Sequence, residues 1–385
     1  MKKILLFSLL AIAAESVIAQ FSVRLVVTEV ATKKNDDSYL SGTFNNWNPK
    51  DENYKLKPFA GGRKSIVLKD VAIGNYAFKF TRGSFDKVEC MADGRDITDR
   101  VLDVSSDISQ EITIAGWKDD YPERPKRYSA SPRVKIIDTA FKIPQLDRTR
   151  RIWIYLPKGY ATSAKTYPVL YMQDGQNLFN DQTAPFGEWG VDECLDTLEK
   201  KLDRECIVVG IDNGGDKRMS EYCPYDFSTK GAFVTPDTKG EGKAYVEFLV
   251  KNLKPFIDSK YRTKKGREFT YIAGSSMGGL ISEYAILQYP DVFGAAGIFS
   301  PAFWIAPTIY TDASNAVTPH LPRFYFYAGG KESGSMVSDV EKMYDILTKK
   351  RNYEVERELN PLGEHKEKFW QQAFPHFYTW LMEKE

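Results

Sequence analysis

From Val134 onward the chain repeats one pattern, a short apolar run followed by a helix-prone segment. The apolar runs are Val169–Met172, Ile207–Ile211, Phe269–Ala273, Ala295–Phe299, Phe324–Ala328 and Tyr353–Leu359, with two leading strands at Val134–Phe141 and Arg151–Leu156. The segments between and after them predict helices over Gly190–Lys201, Lys243–Ser259, Met277–Gln288, Met336–Lys350 and His365–Met382. Strands that are apolar throughout must be covered on both faces, and a helix between successive strands brings the chain back to the same end. The alternation therefore predicts an α/β domain, a mostly parallel sheet with helices on both faces, spanning 134–385.

The first part of the chain does not share this pattern. Val23–Val30, Ser38–Phe44, Lys64–Leu68, Asn75–Thr81 and Glu111–Ile114 are β-prone and separated by Gly, Asn, Asp and Pro. No amphipathic helix interrupts them, so residues 20–117 predict a small all-β, Ig-like sandwich. Residues 118–133 carry three prolines and dense charge, which predicts a semi-stiff linker. Two domains also suit a chain of 385 residues.

Residues 1–19 read as a secretory signal peptide. Lys2 and Lys3 precede an apolar stretch, Ile4–Ala14, and Val17-Ile18-Ala19 is a small-residue cleavage site. With no Cys near the cut, the expected product is a secreted or periplasmic protein without a lipid or membrane anchor. Export permits disulfides, with Cys194 and Cys206 the candidate pair, although a chain of this size does not need one. A net charge of +1 argues against nucleic acid as a partner. Four cysteines without zinc spacing and three histidines argue against a metal site, and no cofactor motif is present.

The chemistry-bearing motif is Gly274-x-Ser276-x-Gly278, preceded by a β-prone run and followed by a helix-prone one. A strand that turns sharply into a helix lifts the central serine out of the sheet, and the helix N-terminus beneath it offers N–H groups to a developing oxyanion. A serine hydroxyl needs a base at neutral pH. Of the three histidines, His365 follows the last strand run in a turn, His376 lies inside the terminal helix, and His320 precedes every candidate acid. His365 is the expected base. The acid is expected after Phe324–Ala328, at Glu332, with Asp339 as its rival. The oxyanion hole is expected from the N–H of Met277 and one from the loop Tyr171–Asn177, at Gly175 or Gln176, with Gln176 preferred.

These residues resemble a known family. Tyr167–Phe179, Glu188–Asp192, Arg218–Tyr222, Leu253–Asp258 with Tyr261–Thr263, Gly274–Gly279, Phe299–Trp304 and the turn ending at His365 are similar to the esterase D-like esterases. That family includes feruloyl and acetyl-xylan esterases of carbohydrate esterase family one, enterochelin esterases and S-formylglutathione hydrolases. The resemblance implies an α/β-hydrolase fold and a Ser-His-acid carboxylic-ester hydrolase, with Trp189, Arg218, Tyr222 and Trp304 as candidate pocket residues. Many members carry His-Gly-Gly where this chain has Gln173-Asp174-Gly175.

The segment Ser41–Pro49, with Tyr76–Phe80 and Arg82–Phe85, resembles starch- and glycogen-binding modules of carbohydrate-binding families 48 and 20. That resemblance implies that Trp47 stacks on a sugar, that Lys79 contacts its hydroxyls, and that Phe85 replaces a second stacking tryptophan. The combined expectation is an exported esterase that removes acetyl or feruloyl groups from plant polysaccharide such as xylan. The alternatives are a siderophore esterase, an acyltransferase, and a glycan-binding protein whose hydrolase domain is inert.

Overall fold

The computed structural model describes residues 20–121, 126–202, 204–228 and 238–383. The expected signal peptide lies outside the described residues. The described chain forms two compact units, one running to residue 121 and the other beginning at 126.

The N-terminal unit is built from two main sheets. One has the order β3-β4-β1-β8, formed by β1 (Gln20–Val30), β3 (Lys57–Phe59), β4 (Arg63–Ala72) and β8 (Ile108–Ile114). The other is β2-β5-β7, from β2 (Tyr39–Gly42), β5 (Gly74–Thr81) and β7 (Arg100–Val104). A short pair joins β6 (Glu89–Cys90) to β9 (Gly116–Trp117). Val23, Leu25 and Val27 of β1 share one core with Phe78 and Phe80 of β5 and with Leu102 and Val104 of β7. The alternating apolar side chains of both sheets thus meet in a single layer, as a sandwich requires. The short strands β3, β6, β7 and β9 carry too few apolar residues to be seen as sequence runs.

The C-terminal unit holds an eight-stranded sheet in the order β10-β11-β13-β12-β14-β15-β16-β17. The strands are β10 (Val134–Ile143), β11 (Arg148–Tyr155), β12 (Val169–Gln173), β13 (Ile207–Ile211), β14 (Thr270–Ser275), β15 (Ala295–Phe299), β16 (Arg323–Gly329) and β17 (Glu354–Asn360). Strand β11 pairs antiparallel with both neighbours, and every pair from β13 to β17 is parallel. Strands β12 to β15 are buried along their whole length. Val169 and Tyr171 enter one core and Leu170 and Met172 the other, so one strand feeds both layers.

The helices are α1 (Val191–Leu202), α2 (Arg218–Glu221), α3 (Gly242–Phe248), α4 (Lys254–Lys260), α5 (Met277–Gln288), α6 (Thr308–Asn315), α7 (Met336–Thr348) and α8 (Glu367–Met382). The single helix expected over Lys243–Ser259 is divided by a π turn, Leu249–Leu253, just before Pro255. Proline has no N–H to return to the preceding turn, and the wider π pattern absorbs that loss. Residues 126–133, expected as linker, belong to the C-terminal unit. Ala130 is buried in its core, Ser131 N–H donates to Asp192 at 2.6 Å, and the Ser129 hydroxyl donates to Glu188 at 2.9 Å. Cys194 keeps a free thiol, so the candidate bridge to Cys206 does not form.

Candidate active site

Parallel pairing brings the C-terminal ends of β12, β14, β15, β16 and β17 to one edge of the sheet. Ser276 follows β14 directly and has φ 57 and ψ −118. A non-glycine residue in that region costs about 1–3 kcal/mol, a strain that the surrounding packing must hold. The flanking glycines show why. A Cβ on Gly274 would lie 2.7 Å from the Gly278 backbone, and one on Gly278 would lie 3.0 Å from the Gln173 Cβ. The serine is pinned by its own backbone, N–H to the Phe299 carbonyl at 2.9 Å and C=O from the Ala302 N–H at 3.1 Å.

His365 lies in the turn after β17 and just precedes α8, so the helix starts at Glu367 rather than at His365. Its Nδ1 is 2.6 Å from Glu332 Oε2. Glu332, two turn residues past the end of β16, is fully buried as a side chain. Its other oxygen accepts from the Ser300 hydroxyl and from the Gly329 N–H, both at 2.7 Å. Ser300 follows Phe299, the residue that holds Ser276, so the strand before Ser276, Glu332 and the His365 imidazole are linked through consecutive contacts. Asp339 instead accepts from the Tyr310 hydroxyl at 3.1 Å. His320 pairs with Asp291, and His376, exposed on α8, sits 3.1 Å from Glu358.

The loop after β12 lies beside the elbow. Asp174 adopts φ 55 and ψ 48, and Gly175 packs so tightly on β13 that a Cβ would lie 2.8 Å from the Ile211 nitrogen. The Asp174 carboxylate accepts from Arg218 at 2.7 and 2.9 Å and from Asn213 at 2.7 Å. Its N–H donates to the Tyr222 hydroxyl at 3.2 Å. Gln176 is held at both ends: its amide oxygen accepts from the Asn213 N–H at 3.1 Å, its carbonyl from Thr183 at 2.7 Å. Among the described residues, the N–H groups of Gln176 and Met277 have no acceptor within the chain.

A family model described as "Putative esterase" matches residues 143–380, more than half of the chain. The chain belongs to that family. It is a serine hydrolase of the carboxylic-ester class. An uncharacterized protein of Bacillus subtilis (strain 168), YbbA, is 28% identical over 187 residues, covering 48% of this chain and 69% of that protein. An endo-1,4-beta-xylanase/feruloyl esterase of Xylanibacter ruminicola is 28% identical over 153 residues, 38% of this chain and 19% of that protein. The enterochelin esterase of Shigella flexneri has the same fold, with a TM-score of 0.54 and 15% identity, over 90% of this chain and 88% of that one.

The esterase places its other expected site residues unevenly. Trp304 is half-exposed on the loop after β15, two residues beyond Ala302. Trp189 is buried against Phe299 and Trp370, with ring centroids 5.0 and 5.7 Å away, and packs the core instead of lining a pocket. Tyr222 is likewise buried and supports the Asp174 backbone. Burial lowers the basicity of Arg218, but the Asp174 carboxylate outweighs it and holds the guanidinium firmly charged. Its charge is already neutralised, so Arg218 braces the loop. The sequence analysis did not single out Ser300, Asn213, Trp370 or Glu367, which all stand at this edge; Ser300 lay within the family-like run Phe299–Trp304 without a motif of its own.

In the N-terminal unit Trp47 follows Asn46 into a left-handed turn, with φ 54 and 59. The turn is shaped by Asn45, whose side chain accepts from the Gly42 N–H at 3.0 Å and donates to the Leu40 and Asn48 carbonyls at 3.0 and 3.1 Å. Trp47 is half-buried, and its indole N–H is buried without a partner. Lys79 is paired with Asp99 at 2.8 Å, and Phe85 is exposed.

Proposed function

We propose that Ser276, His365 and Glu332 are the catalytic triad of an exported esterase that cleaves feruloyl-type esters on plant polysaccharide. The observation that carries the reading is the 2.6 Å contact between Glu332 and His365 Nδ1, made at the sheet edge where the strained Ser276 stands. Glu332 fixes the tautomer in which Nδ1 carries the hydrogen, leaving Nε2 to accept the Ser276 proton. The serine oxygen attacks the ester carbonyl, and the Met277 and Gln176 N–H groups receive the oxyanion. His365 then protonates the departing alcohol. Water, activated by the same imidazole, releases the acid from the acyl-enzyme.

An aromatic acyl group is favoured over acetate by apolar side chains on three loops. Phe186, Trp304 and Leu362 are exposed, each on a segment adjoining a residue of this sheet edge. Trp304 is two residues past the contact to Ser276, Leu362 is three residues before His365, and Phe186 adjoins Gly187, whose Cβ would lie 4.0 Å from the Glu367 Cβ. Exposed apolar groups on loops beside a site favour an apolar group in the ligand. The xylanase/feruloyl esterase relative supports the same substrate. The N-terminal unit serves in this reading as an accessory glycan-binding sandwich, with Phe85 as its accessible aromatic. Cleavage of the expected leader after Ala19 exports the protein to where polysaccharide is met.

A second reading, a siderophore esterase, is favoured by the breadth of the match to the enterochelin esterase, which spans 90% of this chain. Against it, the Arg218 guanidinium is already committed to Asp174 and offers no free charge to an anionic ferric catecholate. The test compares release of ferulate from arabinoxylan with hydrolysis of a ferric catecholate triester. Ferulate release lost in Ser276→Ala supports the first reading; triester cleavage alone replaces it with the second.

A further inference from the structure

We propose that Trp370 and Ser300 form a positioning relay that aims the Glu332 carboxylate at His365, an inference that rests on the triad reading above. The Trp370 indole N–H donates to the Ser300 oxygen at 2.9 Å, and the Ser300 hydroxyl donates to Glu332 Oε1 at 2.7 Å. An indole can only donate. The serine oxygen therefore accepts from it, and the one hydroxyl proton is left for the carboxylate. With the Gly329 N–H on the same oxygen, Oε1 is saturated and Oε2 remains for the imidazole at 2.6 Å.

The parts of the relay are themselves fixed. Ser300 is fully buried, has φ 44, and its N–H donates to the Tyr327 carbonyl at 2.7 Å. Trp370 is 4% exposed, and its ring meets the His365 ring edge-on, with centroids 5.0 Å apart and planes at 87°. One indole thus sets the hydroxyl that orients the acid and also bounds the imidazole that the acid orients. Both hydrogen-bonding capacities of Ser300 lie on a single line from Trp370 to His365.

The test is a cycle on the full chain with 4-nitrophenyl acetate, using Ser300→Ala, Trp370→Phe and the double variant. Alanine asks nothing of the backbone at φ 44 that serine does not. Ser300→Ala is expected to lower kcat about 10-fold with KM unchanged, the loss of one hydrogen bond to a charged group. Trp370→Phe is expected to lower kcat about threefold, and the double variant to match Ser300→Ala, because the indole N–H acts only through the hydroxyl. A folded Ser300→Ala with unaltered kcat, or two effects that simply multiply, overturns the relay. If Ser300→Ala does not fold, Ser300→Cys, which keeps the side chain's shape but is a weaker donor, decides in its place: a fall in kcat at constant KM supports the relay and an unchanged kcat overturns it. Ser276→Ala serves as the control. Activity retained there removes the triad itself, whereas an inactive Ser276→Ala beside a normal Ser300→Ala removes only the relay.

Discussion

Glu89 and Glu367 are both buried acids, one in each unit, and the protein treats them in opposite ways. Glu89 accepts from the Phe80 N–H at 2.8 Å and from Arg100 through both Nε and Nη2, at 3.0 and 2.8 Å. Glu367 is offered no side-chain donor among the described residues, and burial pushes its carboxyl up to about 7. The contrast extends to the surroundings. In the N-terminal unit Lys79 is tied to Asp99, and Arg82 to Asp36 and Asp119. At the sheet edge of the esterase unit the N–H groups of Gln176 and Met277 have no acceptor among the described residues. A buried acid whose oxygens are all paired, as in Glu89, serves the scaffold. A region that keeps buried donors and acids open is one where a ligand completes the pairing.

The strongest attempt to break this contrast removes the proposed nucleophile. Ser276→Ala is expected to lower kcat on 4-nitrophenyl acetate by about 10⁵–10⁶. Wild-type rates in that variant would mean that the open groups at the sheet edge serve some other reaction. The next test separates the two acids. Glu332→Ala is expected to cost about 10⁴ in kcat, because His365 loses the group that fixes its tautomer. Asp339→Ala, which removes only the partner of a tyrosine hydroxyl, is expected to stay within about threefold on the same assay.

The esterase unit was legible in sequence because its elements obey rules with few solutions. Strands β13 and β15 coincide with the apolar runs that mark them, since a strand buried on both faces has no solvent face to blur its ends. The elbow was legible because Gly274 and Gly278 leave room for no other side chain. Trp189 and Tyr222, candidate pocket residues by sequence, are buried in the structure; an aromatic beside a motif has the same letter whether it faces the substrate or packs beneath the loop. Helices α2 and α6, of 4 and 8 residues, are too short to show a period. Ser300 and Trp370 left no signal, since they meet only through the folding of two strands and a helix. In the N-terminal unit the run Phe44–Trp47 reads like a sugar platform, yet Asn45 uses it to close a turn. A short motif that a turn can satisfy says little about function.

Two smaller effects sharpen the comparison of the units. Trp304→Ala is expected to raise KM for a methyl ferulate substrate about 10-fold while leaving an acetate ester nearly unaffected, the loss of one aromatic contact. Equal changes for both esters would place Trp304 outside the acyl site. In the N-terminal unit, Phe85→Ala is expected to weaken retention on insoluble xylan about fivefold, as the loss of one exposed aromatic contact. Trp47→Ala is expected to leave retention unchanged and to lower Tm, because its indole is half-buried in the turn. The reverse result would restore Trp47 as the sugar contact.

The smallest effect returns to Glu367. In the unfolded chain its carboxyl titrates near the ordinary value of about 4.3, and in the folded chain near 7. Between those values the folded state holds a proton that the unfolded state has released, so stability falls as pH rises through the window and the full penalty applies above 7. Burial is the main cause; the Asp174 carboxylate adds to it, and His365 and Arg218 oppose it. Glu367→Gln carries no charge at any of these pH values. It is therefore expected to match the wild type in Tm at pH 4 and to exceed it by about 5 °C at pH 8. A difference that stayed constant from pH 4 to pH 8 would mean that Glu367 titrates alike in both states, and the contrast with the paired Glu89 would lose its physical basis.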